Sequence, residues 1–492
     1  MAAVSGRSAG NALVRNAFAL MFSTVGSAAL GMAFWVVAAH LYEAREVGHA
    51  SAEVAAVSLV AGVAQVGLAG VFARFLPVAG KESPRLVTEG YGLSVLGALV
   101  LSGGFVALGY GMDFLPRDPV SLTVFAVGVV LYSIFALQDG VLTALRRATW
   151  VPTENIVVAV VRLILLPVLL VYGVRFGAFV AWAAPMLGAV LVVTWLVYAW
   201  LIPAQRRTPG PGTLPARREL VSYTAAQYVG GIVGSVVTLV PPVLVATHQG
   251  AQEVAYFYFP WLFGTSCMAL LWNITLSLVV EAIHDLARTK QLLARAVKLG
   301  LLVTVGGGLV LGVFAPWILR VIGPGYATGG TVSLQLIALS LPFIGVNTLY
   351  GALSLIDTRT WKVTVLKAAS AVVMVGLAIP AMDRYGVSGM ALAFLASRVF
   401  AALASVPPLV RCYRELSANA ATVVLKLDRE ALGMTAETQV IALAPILARG
   451  LARAPEFSAG GSAVYLSSSH LGTFVAPDPD ADTVLLARQR VP

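Results

Sequence analysis

The sequence has little charge and little cysteine for its length. Only 11% of its 492 residues are Asp, Glu, Lys or Arg, whereas 59% are hydrophobic and the mean hydropathy is +0.86. Because soluble domains carry about 25% charged residues, this composition excludes a soluble globular protein and predicts an integral membrane protein. The two cysteines, Cys267 and Cys412, exclude a disulfide framework and a structural zinc site.

Catalytic motifs are also lacking. The five histidines form no His-x-x-x-His or His-Glu-x-x-His pair, and the sequence has neither a Gly-x-Ser-x-Gly elbow nor a P-loop. We therefore expect no enzymatic activity, no metal and no cofactor, and any transport should be secondary or driven by the substrate gradient. The short outside connections disfavour a glycan polymerase or ligase, which needs room for an acceptor.

Long apolar blocks fill most of the sequence. A membrane-spanning helix needs about 20 apolar residues and a barrel strand about 10, so blocks of roughly 20 to 28 predict an all-α membrane protein and exclude a porin-like barrel. The twelve predicted helices are Val14–Tyr42, Glu53–Pro77, Glu89–Gly111, Val120–Leu145, Pro152–Val174, Phe176–Ile202, Leu220–Thr247, Glu253–Ile283, Leu293–Ile322, Gly330–Asp357, Trp361–Met382 and Val387–Tyr413.

The basic residues alternate between connections. Counted together with the adjoining helix ends, the even-numbered connections carry sixteen Lys and Arg residues and the odd-numbered ones carry five. Because cytoplasmic loops are enriched in Lys and Arg, both termini are predicted to lie in the cytoplasm, with the helices in the cytoplasmic membrane. The formal net charge of +10 is thereby explained by topology and contact with membrane lipids, without nucleic acid.

A linker at residues 203–219 separates six predicted helices in residues 14–202 from six in residues 220–413. The pattern Ala44-Arg45-Glu46-Val47-Gly48 recurs 207 residues later as Ala251-Gln252-Glu253-Val254-Ala255. A duplicated six-helix unit is typical of transporters, so we predict two pseudo-symmetric six-helix lobes around a central cavity. Residues 1–13 are predicted to be a cytoplasmic N-terminus, and residues 414–492 a mobile cytoplasmic tail.

Few ionisable residues lie at membrane depth, where each is costly unless it is paired or faces water. Arg162 and Arg398 are predicted near the middle of helices 5 and 12, and Asp139 about two turns from the cytoplasmic end of helix 4. Arg162 either forms a structural ion pair with Asp139 or lines the cavity as a phosphate ligand. Arg15 and Arg74, near the cytoplasmic ends of helices 1 and 2, either mark the interface or gather an anionic headgroup. Asp139 and Arg398 are candidates for gating or coupling.

Four uncharged side chains in the predicted helices are candidates for sugar contacts: Gln65, Gln227, Trp272 and Asn273. Amide groups beside aromatic rings are what sugar recognition needs. The alternative is that the amides join helices and that Trp272 belongs to an interfacial aromatic belt.

Several segments resemble the multidrug/oligosaccharidyl-lipid/polysaccharide (MOP) exporter superfamily, and within it the polysaccharide-unit flippases of O-antigen type. The segment 39–48 after helix 1 is similar to that family's Arg-x-Leu-Gly-Pro-Glu-x-Tyr-Gly turn, and three further motifs support the resemblance. They are Gly67-Leu68 leading to Arg74, Asn155 with Arg162, and Leu319 followed by Gly323-Pro324-Gly325-Tyr326. The resemblance implies alternating access and export of an oligosaccharide linked to undecaprenyl diphosphate, with Arg15, Arg74 and Arg162 meeting the diphosphate.

Two functions stay open: a flippase for a lipid-linked oligosaccharide, and an ion-coupled multidrug/cation antiporter of the same fold. Exporters of cationic drugs use buried carboxylates, yet predicted helices 1 and 7 contain no Asp or Glu. Because arginine outnumbers acid at mid-membrane depth, an anionic ligand is favoured. The expected partners are an anionic lipid-linked glycan, membrane lipids and polysaccharide-assembly proteins. A third hypothesis is a non-transporting scaffold, but it does not explain why Arg162 and Arg398 lie at membrane depth.

Overall fold

The computed structural model describes residues 26, 29–65, 67–108, 115, 118–174, 176–206, 217–284, 289–356 and 360–431. Within these ranges the protein is all-α and contains no β-strand. The chain divides into two compact units, Met1–Ala420 and Ala421–Pro492, and the described part of the second is helical as far as Ala431. We refer to residues 29–206 as the N-half and to residues 217–431 as the C-half.

The N-half contains eight helices among its described residues. They are α1 (Ala29–Leu41), α2 (Ala44–Gln65), α3 (Leu68–Phe75), α4 (Ser83–Leu108), α5 (Pro119–Ala144), α6 (Trp150–Val171), α7 (Gly177–Leu196) and α8 (Ile202–Arg206). Short 3₁₀ turns at Leu76–Val78 and Gly80–Glu82 precede α4, and a π-helical turn at Val197–Leu201 joins α7 to α8.

The C-half also contains eight helices within the described residues. They are α9 (Arg217–Gln249), α10 (Ala251–His284), α11 (Thr289–Leu301), α12 (Gly307–Val313), α13 (Ala315–Ile322), α14 (Pro324–Ile356), α15 (Thr360–Tyr385) and α16 (Val387–Ala431). A π-helical turn at Leu302–Gly306 joins α11 to α12.

The helices are suited to a bilayer. Among the described residues, ten are long and apolar enough to span one, and an eleventh span arises if the pair Val297–Val313 and Ala315–Ile322, which bends by 66°, is counted together. Large hydrophobic side chains such as Leu96, Leu191 and Leu403 are exposed, as lipid-facing residues are in a membrane protein. The protein is therefore a multi-pass membrane protein. The number of twelve helices stays a prediction, since only Ala29–Leu41 of the first helix is described.

Predicted helices 2, 9 and 12 differ from the observed ones. The last helix, α16, continues to Ala431, beyond the predicted end of helix 12 at Tyr413 and into the segment predicted to be a mobile tail. Helix 2 begins at Ala44 rather than at Glu53, so the repeated pattern at 44–48 forms its first turns instead of a connection. It ends at Gln65, and a second short helix follows from Leu68. Predicted helix 9 is interrupted at Phe314, two residues before Pro316. A proline ring is tolerated in the first turn of a new helix but not in the interior of a helix.

The two halves pack through α2, which lies against both α9 and α10. Trp35 of α1 contacts Tyr258 of α10, with ring centroids 4.7 Å apart. One hydrophobic core extends across both halves and includes the fully buried rings of Phe179 and Phe257. Burial of such rings supplies most of the packing energy between helices.

Equivalent positions of the repeat make equivalent hydrogen bonds. The Tyr42 hydroxyl, two residues before α2, donates to the Leu166 carbonyl oxygen of α6 at 2.9 Å. The Gln249 amide, two residues before α10, donates to the Met382 carbonyl oxygen of α15 at 3.1 Å. In each half, the residue that precedes the repeated pattern thus ties its helix to a later helix of the same half.

Candidate substrate site

A cavity of about 740 Å³ lies between the two halves. Its N-half wall comes from the end of α2, the start of α3 and the middle of α5, and its C-half wall comes from α9 and α10. The polar and aromatic residues that line it are Ser58, Gln65, Tyr132, Ser235 and Trp272. Small residues fill the remaining N-half wall near the α2–α3 break, among them Gly62, Gly67 and Gly70.

The break between α2 and α3 depends on Gly67. This residue has φ +83°, in the left-handed region that favours glycine. A Cβ at Gly67 would also lie 2.9 Å from the Thr224 carbonyl oxygen of α9. Glycine therefore permits both the turn and the close approach of the C-half at this edge of the cavity.

Two of the predicted sugar-contact residues meet in this cavity. Gln65 of α2 and Trp272 of α10 both line it, together with Tyr132, which the sequence patterns did not single out. Asn273 is described but is not among the lining residues, and the side chain of Gln227 lies outside the described residues. Hydroxyl, amide and indole groups dominate the polar lining, and neither a carboxylate nor a basic side chain is among the described lining residues. Such a surface suits neutral hydroxyl-rich ligands.

Arg162 is not among the described residues that line this cavity. Its Nε–H donates to the Trp182 carbonyl oxygen of α7 at 2.8 Å, and its guanidinium carbon lies 4.8 Å from the centre of the Trp182 ring. Tyr132 stacks on that ring, with centroids 5.4 Å apart and planes 28° apart. The charge of Arg162 is thus close to Tyr132, and Tyr132 is the side chain of this group that faces the cavity.

The hypothesised ion pair between Arg162 and Asp139 is wrong. Arg162 is held instead by Trp182, whose carbonyl and ring supply a hydrogen bond and a cation–π contact worth about 0.5–2 kcal/mol. Asp139 leaves a buried carboxylate oxygen, Oδ1, without a hydrogen-bond partner in the described part of the chain. A step in which substrate releases Arg162 from Asp139 therefore has no basis in this arrangement.

Further buried carboxyl groups lie in the N-half, and the sequence patterns missed them. Both carboxylate oxygens of Glu154 are buried without a hydrogen-bond partner among the described residues, and Glu154 lies near enough to Asp139 for their charges to interact. Glu53 of α2 is only 4% exposed. The predicted helices place Glu53 and Glu154 at helix starts, where an acid is ordinary, so no signal distinguished them.

Arg74, another predicted anion ligand, does not line the cavity. Arg74 is exposed in the last turn of α3, with its guanidinium 5.4 Å from the Phe75 ring centre. Arg15 lies outside the described residues. Arg398 lies in the interior of the C-half, where its Nη2 donates to the Ser370 hydroxyl at 2.7 Å.

Several solved structures have a similar fold. The lipid II flippase MurJ in an inward closed conformation is similar with a TM-score of 0.64 and 15% identity, covering 89% of this chain and 100% of that chain. A MATE transporter from Vibrio cholerae has a TM-score of 0.60 and 14% identity, covering 82% and 98%. An inward-facing MATE multidrug resistance transporter of the MOP superfamily has a TM-score of 0.59 and 15% identity, covering 80% and 94%. The fold is thus that of MOP-superfamily transporters.

A sequence family also matches the chain. The polysaccharide biosynthesis protein family matches residues 13–261, which is just over half of the chain. The chain belongs to this family. No curated protein matches it.

Proposed function

We propose that the protein flips an oligosaccharide linked to undecaprenyl diphosphate across the cytoplasmic membrane by alternating access. Membership of the polysaccharide biosynthesis protein family and the similarity to a lipid II flippase support this function. In this proposal twelve helices form two six-helix lobes, both termini lie in the cytoplasm, and polysaccharide-assembly proteins supply or receive the substrate. The matching hydrogen bonds of Tyr42 and Gln249 support two equivalent lobes.

The lining of the inter-half cavity carries the proposal. Gln65, Tyr132 and Trp272 offer an amide, a phenol and an indole around 740 Å³. A volume of this size falls within the range of about 300–1,000 Å³ that is usual for small-molecule sites. Sugars are bound by aromatic faces and neutral hydrogen-bonding groups, so this cavity receives the glycan while the polyprenyl chain stays in lipid.

Arg162 is the proposed contact for the diphosphate, with Arg74 and Arg15 gathering it at the cytoplasmic mouth. A planar guanidinium binds phosphate oxygens in pairs, and only the Nε–H of Arg162 is engaged among the described residues. Tyr132 lines the cavity and lies near Arg162, so in this proposal the diphosphate reaches Arg162 when Tyr132 moves aside. Because Asp139 does not pair with Arg162, its proposed role is in coupling transport to an ion and not in releasing Arg162.

The contact between α2 and α10 supports alternating access. Gly48 lies against the Ala251 backbone, at the end of the helices that the charge pattern assigns to the outside. In this proposal, outward opening requires the first turns of α2 and α10 to separate. Such rigid-body movement of two repeats is the usual mechanism of secondary transporters.

Binding to two ligands tests the proposal. Detergent-purified protein and an Arg162→Ala variant are titrated with undecaprenyl diphosphate and, separately, with a lipophilic cationic dye. The proposal predicts binding of undecaprenyl diphosphate that depends on Arg162, and no binding of the dye. Dye binding that does not depend on Arg162, without binding of undecaprenyl diphosphate, would contradict it.

The second candidate function is an ion-coupled antiporter for cationic drugs. The similarity to MATE transporters is compatible with it. The buried carboxylate oxygens of Asp139 (Oδ1) and Glu154 (Oε1 and Oε2), which have no hydrogen-bond partner among the described residues, favour it specifically. Buried acids of this kind bind protons or cations in membrane helices. Against it, neither acid is among the residues that line the inter-half cavity.

A further inference from the structure

A second cavity lies inside the C-half, among α9, α10, α14, α15 and α16. Its volume is about 390 Å³. Two basic side chains line it, Lys367 of α15 and Arg398 of α16, and no Asp or Glu is among its described lining residues. Trp272 lines both this cavity and the one between the halves, so the two are neighbours.

Only part of the Arg398 guanidinium is engaged by protein groups among the described residues. Its Nη2 donates to the Ser370 hydroxyl at 2.7 Å and its Nε–H to the Ser397 hydroxyl at 3.3 Å. Its guanidinium carbon lies 5.1 Å from the centre of the Phe394 ring. Because a guanidinium has five N–H donors, three remain unengaged within the described residues. The serines and the ring hold the side chain in one orientation, and the other donors stay available to a ligand.

Ser370 is itself held by a neighbouring helix. Its hydroxyl donates to the Ser397 carbonyl oxygen of α16 at 3.2 Å, which leaves its lone pairs for Arg398. Asn347 of α14 donates to the Arg398 carbonyl oxygen at 3.4 Å and accepts from Ser405 at 3.1 Å. Three helices therefore fix the backbone and side chain of Arg398, as a preorganised binding group requires.

Lys367 has no hydrogen bond and no ion pair within the described part of the chain. It lies near enough to Arg398 for the two positive charges to repel each other. Two cations that face one cavity within a membrane protein, without a carboxylate between them, are unfavourable. An anion in the cavity would offset both charges and would satisfy the unengaged donors.

We propose that this cavity is a binding site for a phosphate-class oxyanion, held between Arg398 and Lys367. The guanidinium fork matches two oxygens of a phosphate, and the ammonium adds a compact charge with three donors. The volume suits a phosphate or diphosphate group and is smaller than the inter-half cavity, which leaves the glycan to the latter. The anion is either the diphosphate of a lipid headgroup or a free phosphate, and the site does not depend on the proposed flippase activity.

Inorganic diphosphate is the first probe. Full-length protein in detergent is titrated at low ionic strength by isothermal calorimetry, and Lys367→Gln is compared with Lys362→Gln, the same substitution five residues earlier on α15 at an exposed position outside the cavity. We expect Lys367→Gln to weaken binding at least tenfold, Lys367→Arg to restore it, and Lys362→Gln to leave it unchanged. Wild-type protein that does not bind diphosphate, or equal affinity in Lys367→Gln, would overturn the proposal.

A second measurement uses the unmodified protein, so it does not depend on how a variant folds. Lys367 is exposed enough for an amine-acylating reagent to reach it. Mass spectrometry measures the acylated fraction of Lys367 and of Lys362 in the same sample. Diphosphate is expected to slow acylation of Lys367 several-fold and to leave Lys362 unaffected. Equal slowing of both lysines, or of neither, contradicts the site.

Titration with undecaprenyl diphosphate distinguishes the two sources of the anion. If the site takes the lipid headgroup, Lys367→Gln weakens binding of this lipid as well as of inorganic diphosphate. If the site takes a free phosphate, Lys367→Gln weakens only inorganic diphosphate, while Arg162→Ala still weakens the lipid. Arg162→Ala tests the proposed function separately from this site: the proposed function predicts that this variant loses binding of the lipid, whatever Lys367→Gln does.

Discussion

Gly48 of α2 lies directly against the backbone carbonyl of Ala251 at the start of α10, and a Cβ at Gly48 would overlap that carbonyl. Both residues belong to the sequence pattern that recurs between the two halves. The repeated segments of the two halves therefore contact each other. Small residues permit such close packing of membrane helices.

Replacing Gly48 with alanine should force the two halves apart at this contact. Alanine is favoured over glycine by about 1 kcal/mol inside a helix, but here its methyl group has no space. We expect Gly48→Ala to lower the melting temperature of the purified protein. Gly92→Ala on α4, where nothing lies within 4 Å of the added Cβ, is the matched control and should melt at or above the wild-type temperature. A Gly48→Ala variant as stable as the control would show that the contact is loose.

Arg162→Ala should abolish export while folded protein remains in the membrane. The substitution removes the proposed phosphate ligand and a charged hydrogen bond to Trp182, which is worth about 1.5–3 kcal/mol. Arg162→Lys keeps the positive charge but loses the planar guanidinium that binds two phosphate oxygens, so it should retain part of the activity. Export is measured in cells by surface glycan, with Arg384→Ala as an exposed control. Full export by Arg162→Ala would exclude a role for this residue in transport.

The sugar and the diphosphate should be recognised by different residues. Gln65→Ala and Trp272→Ala are expected to weaken binding of a glycan-bearing lipid about tenfold, since each removes a neutral contact from the inter-half cavity. Binding of undecaprenyl diphosphate without sugar should be unchanged in Gln65→Ala. Trp317→Ala, which changes an exposed tryptophan of α13, controls for general effects. If Gln65→Ala lowered the affinity for both lipids equally, Gln65 would not be a contact for the glycan.

The buried acids of the N-half distinguish the two candidate functions. For a flippase whose ligand is anionic, Asp139→Asn and Glu154→Gln should preserve binding of the lipid substrate, because neither side chain lines the cavity. Neither variant should acquire or lose dye binding. If both substitutions instead abolish a dye response that is present in the wild type, the antiporter is the better description.

The class of fold could be predicted from composition and hydropathy, since a bilayer requires long apolar helices whatever else the protein does. Ends and breaks of helices were harder to predict. The first turns of α2 contain Arg45 and Glu46, whose polarity resembles that of a connection, yet they continue the helix. The break at Gly67 depends on the approach of Thr224 from a distant part of the sequence, which no local pattern reveals.

The sequence named several residues of the candidate site but not how they are grouped. Gln65 and Trp272, two of the predicted sugar contacts, line one cavity, whereas Arg162 contacts Trp182 rather than Asp139. Lys367 falls inside the predicted helix Trp361–Met382 and lies two turns into α15, but the local sequence does not show which cavity it lines. Its neighbour Arg398 comes from another helix, so only the packing of α15 on α16 reveals the pair.

Flipping by the purified protein tests the account most directly. The protein is reconstituted in liposomes with a lipid-linked oligosaccharide on the inner leaflet, and a membrane-impermeant lectin or glycosidase reports the glycan that reaches the outside. The account predicts time-dependent exposure of the glycan with wild-type protein, at most background exposure with Arg162→Ala, and no uptake of a cationic dye under an imposed proton gradient. Dye uptake without glycan exposure would contradict it.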